Sequence, residues 1–343
     1  FCAALLPKDH KKLILEKTSR LGTKVLLSGK GRCNFTNLRV KAHHYLGDQT
    51  ERLDPLFEMF GPQEMIAYLS ENGIASKEEE NGRMLLQSNR ATQLVEFLIE
   101  KNQEQGTEIK MNAEVIKLEK RENEFLIHTA EACYETKRLI LATGGCSFPK
   151  VGASDFAFQL AQEFQLPTHR PAPALCGIET HELLTSLSGS SVQCELQLFD
   201  AGKLLWSQEG NVLFTHWGIS GPLVFNAALY LGYHYKNFKN LTLKLKIPAS
   251  QITKRLLSYL KAPRGLKNYT LTLHPQQLRS RDEAKVMSGG ICFAAVDDYF
   301  QVRSVKGLYL LGEALNITGE TGGLNLQRCR TSAFHCAKGI ASE

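Results

Sequence analysis

Three short apolar runs, each closed by a turn of small or acidic residues, constrain this chain most. Residues 11–17 (KKLILEK), 138–142 (RLILA) and 305–311 (VKGLYLL) are apolar stretches bounded by charge or glycine. Unbroken runs of this length read as strands buried on both faces of a parallel sheet. The first run carries Glu16 at its carboxyl end, the second enters Thr143-Gly144-Gly145, and the third enters Gly312-Glu313. An acid at the end of such a strand is placed to accept hydrogen bonds from ribose hydroxyls, about 20 residues after a glycine-rich phosphate loop. That spacing puts the expected glycine loop upstream of residue 1, and residues 1–6 read as the last turns of the helix that follows it. By itself, a glutamate ending a strand is more often a solvated charge.

The rest of the pattern is α/β, then β-rich, then α/β again. Residues 54–70 and 91–103 have helical spacing, and 155–164 read as a further helix. Residues 18–37 read as a polar, glycine-rich loop. Residues 108–118 and 124–129 read as strands of a small antiparallel sheet. At residues 169–174 (HRPAPA) a proline-rich boundary changes the texture. Beyond it, 192–199, 203–214, 240–247 and 270–274 alternate as in antiparallel strands, with a helix at 251–261. After Gly289-Gly290 the α/β pattern returns and closes with a helix at 325–340. The domains expected are therefore 1–168 and 289–343 together, with 169–288 inserted.

With 343 residues the chain has room for about two domains. Its net charge of +6 reads as mild attraction for phosphates or acidic ligands. The basic residues look spread along the chain, and no aromatic stacking motif accompanies them, which argues against a nucleic-acid partner. Nine cysteines without a C-x-x-C pair argue against a zinc site or a dense disulfide framework, and fit a reducing cytoplasm. No run of roughly 18 apolar residues is available to cross a membrane. His43-His44 has no carboxylate or cysteine at ligand spacing and reads as surface.

Residues 28–37 (SGKGRCNFTN) are the most specific segment. Small residues there let backbone amides approach a ligand and form an anion nest. Arg32 adds a fork of donors, and Asn34, Thr36 and Asn37 add neutral ones. Read without context, the segment is a surface turn. Three further blocks accompany it in order: ATGGCSFPKVG at 142–152, LFTHWGISGP at 213–222, and a C-terminal series of Gly289-Gly290, Gly312-Glu313 and GGLNLQ at 322–327. Together these resemble the BaiN/YhiN-type NAD(P)/FAD-dependent oxidoreductases over nearly the whole chain. The stretch around residues 262–266 is shorter than the helical subdomain of that family.

The resemblance implies a Rossmann-like FAD-binding domain, with a parallel sheet and a small antiparallel sheet, carrying an inserted β-barrel-like domain and a small helical subdomain. It implies that Glu16 holds the adenosine ribose, that the loop with Ser28, Gly29, Gly31, Arg32, Cys33 and Asn34 runs along the cofactor, and that the Val115 backbone meets adenine. It also implies roles for Thr143, Gly144 and Gly145 in close approach, and for Gly312 and Glu313 at the ribityl or pyrophosphate region. Gly322, Gly323, Asn325, Leu326 and Gln327 would set a helix N-terminus at the flavin pyrimidine ring, where its dipole stabilises negative charge. Lys17 and Lys24 complete the expected cofactor set. Cys33 and His216 are the candidates for direct chemistry, although packing for Cys33 and a loop or core role for His216 are the preferred readings. No metal site is expected.

The activity implied is hydride transfer from NAD(P)H through flavin to a small organic acceptor such as an activated alkene, since some relatives reduce unsaturated steroid-type rings. There is no second G-x-G-x-x-G for a dedicated nicotinamide domain, so the nicotinamide would bind transiently over the flavin. The alternative is a flavin-binding protein associated with nucleic acid, of the tRNA-modification kind, or one without turnover.

Overall fold

A computed structural model describes residues 1–342. They form two compact units, one made of Phe1–His169 with the segment from Gly289 onward, the other of Arg170–Ser288.

In the first unit the apolar runs become parallel strands. Lys12–Leu15 pairs with Thr107–Lys110, and Leu139–Leu141 pairs with Leu308–Leu310. The core around the second pair includes Leu141, Leu308, Tyr309, Leu310 and Phe125, all nearly excluded from water. Val115–Lys120, Phe125–Thr129 and Cys133–Thr136 make a three-stranded antiparallel sheet. The C-terminal helix Leu324–Ala341 is largely buried and packs on the short helix Cys2–Leu5 and on the strand Asn34–Asn37. Among the described residues no helix is long and apolar enough to cross a membrane.

Three local readings are corrected. Residues 108–118 do not form one antiparallel strand. Their first part, within Thr107–Lys110, joins the parallel pair, and the antiparallel strand starts at Val115. Asn112, in the left-handed region at φ 55°, turns the chain between them. Residues 54–70 are two helices, Leu53–Met59 and Pro62–Glu71. Pro62 has no amide hydrogen to continue the first helix, and a Cβ on Gly61 would lie 2.5 Å from the Phe57 carbonyl. The Glu64 carboxylate instead accepts the Gly61 amide hydrogen at 2.8 Å and starts the second helix. The loop at 18–37 holds a helix, Thr23–Leu27, and a strand, Asn34–Asn37.

The second unit is a seven-stranded antiparallel sheet over one core. From edge to edge it runs Asn268–Leu273, Leu241–Pro248, Ser191–Asp200, Lys203–Phe214, Gly218–Ser220, Ile178–Thr180 and Pro275–Leu278. The two outer strands do not pair among the described residues, so the sheet is open and not a closed barrel. Leu241, Leu243, Leu245 and Ile247 alternate inward, as a strand with one covered face requires. Helix Pro222–His234 covers that face with Leu223, Val224, Ala227, Ala228 and Leu231.

Charge is also partitioned, contrary to the dispersed reading. The second unit carries 14 Lys and Arg against 7 Asp and Glu, whereas the first is nearly balanced at 27 against 28. The excess is invisible in whole-chain composition because the first unit dilutes it.

Leu243 is fully buried on the strand next to one edge of the open sheet. Leu243→Ala is expected to cost about 2–5 kcal/mol by loss of transfer energy and cavity formation. The urea midpoint of the second unit's transition should fall accordingly, with the first unit's transition unmoved.

Candidate functional site

The site is built at strand ends and at the head of the C-terminal helix, all within the first unit. Glu16 follows the strand Lys12–Leu15, and its amide hydrogen bonds to the Lys110 carbonyl at 2.9 Å. Its carbonyl in turn accepts from the Ala113 amide at 2.9 Å, which brings the chain leading to Val115 beside it. One carboxylate oxygen, Oε1, accepts the Thr18 amide and hydroxyl hydrogens, both at 2.7 Å. The side chain is thus fixed while Oε2 takes no partner among the described residues. Lys17 turns to Glu114, 3.2 Å away. A Cβ on Gly152 would lie 2.6 Å from the Thr18 methyl, so the ATGGCSFPKVG block packs against this same strand end.

Glu313 gathers three separate segments. Its Oε2 lies 2.6 Å from Lys24 Nζ and accepts the Gly145 amide hydrogen at 3.3 Å. Lys24 also donates to the buried Ser147 hydroxyl at 3.0 Å. Gly144 has φ 77°, and the nearest atom to a Cβ there is Glu313 Oε2 at 4.0 Å. Ala142 and Thr143 are exposed between the buried Leu141 and the buried Gly145. Gly312, at φ 59°, is pinned by the Ser332 hydroxyl on its amide and by Arg328 on its carbonyl.

The SGKGRCN segment is a run of left-handed backbone. Gly29, Lys30 and Gly31 have φ of 56°, 57° and 85°, and Cys33 follows at 55°. A Cβ on Gly31 would meet nothing nearer than 4.0 Å. The Arg32 and Cys33 amides close this turn on the Gly29 and Ser28 carbonyls, each at 3.3 Å. Arg32 is held 2.8 Å from Glu79, so its fork is already engaged. Ser28 donates to the Val25 carbonyl at 2.6 Å and closes the preceding helix.

The strand Asn34–Asn37 docks the helix head. Thr36 Oγ1 donates to Gln327 Oε1 at 2.6 Å, and Asn37 Nδ2 donates to the Gly322 carbonyl at 2.9 Å. Gln327 Nε2 donates to the Phe60 carbonyl and the Thr331 hydroxyl. Asn325 both donates to and accepts from the Gly319 backbone. Gly323, at φ 99°, lies so close that a Cβ would meet the Thr36 carbonyl at 2.6 Å and Asn34 Oδ1 at 2.8 Å. Asn34 Oδ1 is buried and has no hydrogen-bond partner among the described residues.

The expected residues therefore sort by role. Lys24, Gly144, Gly145 and Glu313 converge as side chains or turns, Glu16 stands at its own strand end, and Gly29, Gly31 and Asn34 offer backbone or an open acceptor. The side chains of Asn325 and Gln327 hold the helix head, and Leu326 is half-buried against the core containing Cys33 and Phe35. Val115 pairs with Thr129 at a bulge. His216 is exposed on the turn after the strand Lys203–Phe214, in the other unit. Cys33 is fully buried. Burial pushes its thiol above the ordinary value, while the neighbouring Arg330 guanidinium pulls the other way. A buried, protonated thiol is a packing residue and not a nucleophile. Sequence reasoning missed the positioning residues Ser147, Tyr45 and Arg330. Ser147 stood inside a quoted block. Tyr45, which donates to the Leu324 carbonyl at 2.8 Å, and Arg330, which donates to the Phe35 carbonyl, gave no local signal.

The family model for the HI0933-like protein Rossmann domain matches residues 1–339. The chain belongs to this HI0933-like family. Membership makes it a flavoprotein enzyme of oxidoreductase class with a Rossmann-type domain. Among HI0933-like relatives, the chain is 30% identical to a protein of Haemophilus influenzae named ribosomal RNA dihydrouridine synthase, over 100% of this chain and 96% of that one. It is 27% identical to an Escherichia coli protein of the same name, over 99% and 94%. It is 25% identical to the 3-dehydro-bile acid delta(4,6)-reductase of Clostridium scindens, over 99% and 95%.

Cys33→Ala is expected to leave flavin content and turnover within about two-fold, because the buried thiol is held protonated. Absorbance at the flavin band and steady-state rates check this. A loss of turnover with flavin retained would assign Cys33 a chemical role.

Proposed function

We propose that the chain is an FAD-dependent reductase that passes a hydride from NAD(P)H to a carbon–carbon double bond conjugated to a carbonyl. The observation carrying this reading is the convergence of Lys24, Gly145 and Glu313 beside the left-handed run at Gly29–Gly31 and the head of an 18-residue helix. The residues present fit FAD. Glu16 has a fixed carboxylate with a free oxygen for ribose hydroxyls. Successive amides of the SGKG turn, and Gly144 without a Cβ, allow close approach to phosphate and ribityl groups. Lys24 brings a cation beside Glu313, so the pair can rearrange around an anionic cofactor. The amides at the head of the C-terminal helix, with its dipole, suit the pyrimidine edge of the ring, where negative charge collects. When bound, FAD supplies the hydride chemistry, and the protein supplies orientation and charge.

The acceptor class rests on the names of the relatives. Dihydrouridine formation and reduction of an unsaturated 3-oxo steroid share one chemistry, saturation of a double bond polarised by a carbonyl. Within that class an RNA pyrimidine is favoured over a steroid by one observation, the concentration of positive charge in the second unit.

The test is anaerobic titration of the FAD-loaded protein with NADH and NADPH. Bleaching of the flavin followed by re-oxidation with an enone or a uridine-containing RNA is expected. A protein that takes up no FAD, or whose flavin neither nicotinamide bleaches, overturns the reading. Gly323→Ala is expected to lower FAD occupancy at least ten-fold, because its Cβ cannot share space with the Thr36 carbonyl. Flavin content after gel filtration measures it, and full occupancy would remove the helix head from the site.

A further inference from the structure

Residues 210–281 contain eleven Lys and Arg and not one Asp or Glu. Five of the eleven fall in the segment from the helix Lys254–Leu260 to the start of the strand Asn268–Leu273: Lys254, Arg255, Lys261, Arg264 and Lys267. All five are exposed. Arg255 donates to the Ser186 carbonyl and so braces the helix. The other four have no ion-pair partner among the described residues. Lys254 and Arg264 line one cleft of about 390 Å³, together with Ile252, Leu257, Leu266 and Tyr269.

Four uncompensated cations in 14 residues cost self-repulsion and return nothing to folding. Spread over a helix, its C-cap and a loop, they exceed what one small anion can neutralise, so the complementary ligand is a polyanion. Its neighbours distinguish the kind. Gln251, Ser258, Asn268, Thr270 and Thr272 are exposed neutral hydrogen-bonding groups in the same stretch of chain, and such groups together with cations are the mixture that contacts phosphate and sugar in nucleic-acid complexes. A membrane surface would need an apolar face turned outward. Here Leu256, Leu257 and Leu260 of the helix pack into the unit's own core, and Leu266 alone is substantially exposed, at 44%.

We infer that the segment Lys254–Lys267 is an RNA-backbone docking surface, with Lys254, Lys261, Arg264 and Lys267 as its phosphate contacts. It rests on the reading of an RNA pyrimidine as acceptor. It goes further by assigning affinity to a surface of the second unit, apart from the cofactor residues of the first.

The experiment uses the FAD-loaded full chain, a fluorescein-labelled RNA hairpin with uridines in its loop, and fluorescence anisotropy across a salt series. The variant K254Q/K261Q/R264Q/K267Q removes four exposed charges, so folding should not suffer. A control variant, K8Q/K11Q/K137Q/K306Q, removes four exposed lysines of the first unit. Expected is at least ten-fold weaker binding for the first variant and a salt slope lower by about 3 to 4, at roughly 0.7–0.9 per phosphate neutralised. The control should change little. Wild-type binding by the first variant, equal losses in both variants, or no RNA binding by the unmodified protein overturns the proposal. So does loss of binding to phosphatidylserine vesicles, with RNA binding intact, in the first variant. Bleaching by NADPH is recorded in parallel. Failure of bleaching counts against the flavin reading, and failure of RNA binding with bleaching intact counts against this surface alone.

Discussion

The first unit depends on how the head of a buried helix is satisfied. A helix end leaves amides and carbonyls without intrahelical partners, and burying them unpaired is costly. Here the strand Asn34–Asn37 fixes that end from nearly 290 residues away by bonding groups around the amides and not the amides themselves, Thr36 on the Gln327 side chain and Asn37 on the Gly322 carbonyl. Tyr45 takes the Leu324 carbonyl in the same way. The contact is possible only because Gly323 has no Cβ. Through Asn34 it places the glycine-rich turn at Gly29–Gly31 near that helix head in space, and so orders one side of the proposed cofactor site.

The other side is ordered by Glu313. A carboxylate held by a lysine and a backbone amide from two distant segments is a strong, directional junction. It ties the turn after Leu139–Leu141 to the turn after Leu308–Leu310, the two strands that lie paired in register. Parallel strands bring their carboxyl ends to the same edge, so two turns of unrelated sequence meet there without any local signal between them.

The second unit follows different physics. Its sheet is specified by alternation, and its core is closed by a helix, so the cations at Lys254, Lys261, Arg264 and Lys267 have no ion-pair role in holding it together. That freedom allows an acid-free stretch of 72 residues to persist. In the first unit positive and negative charges nearly balance, and several of its cations are committed, Lys24 to Glu313 and Arg32 to Glu79.

Much of this was legible in the residues. Period and composition determined the parallel strands, the β-rich insertion and the ordered glycine blocks, although of the three apolar runs only Leu308–Leu310 is buried throughout. Glu16, Gly145 and Glu313 were legible as candidates for the proposed cofactor site because they follow apolar strands. The roles of Asn325, Gln327 and Arg32 were not, since an amide or guanidinium that faces a ligand has the same spelling as one that braces a helix. Only tertiary structure decided between them, through partners hundreds of residues away. Only it decided that residues 108–118 divide between two sheets, and that Lys254 and Arg264 line one cleft. Sequence fixes which groups seek partners; the fold determines which partners are within reach.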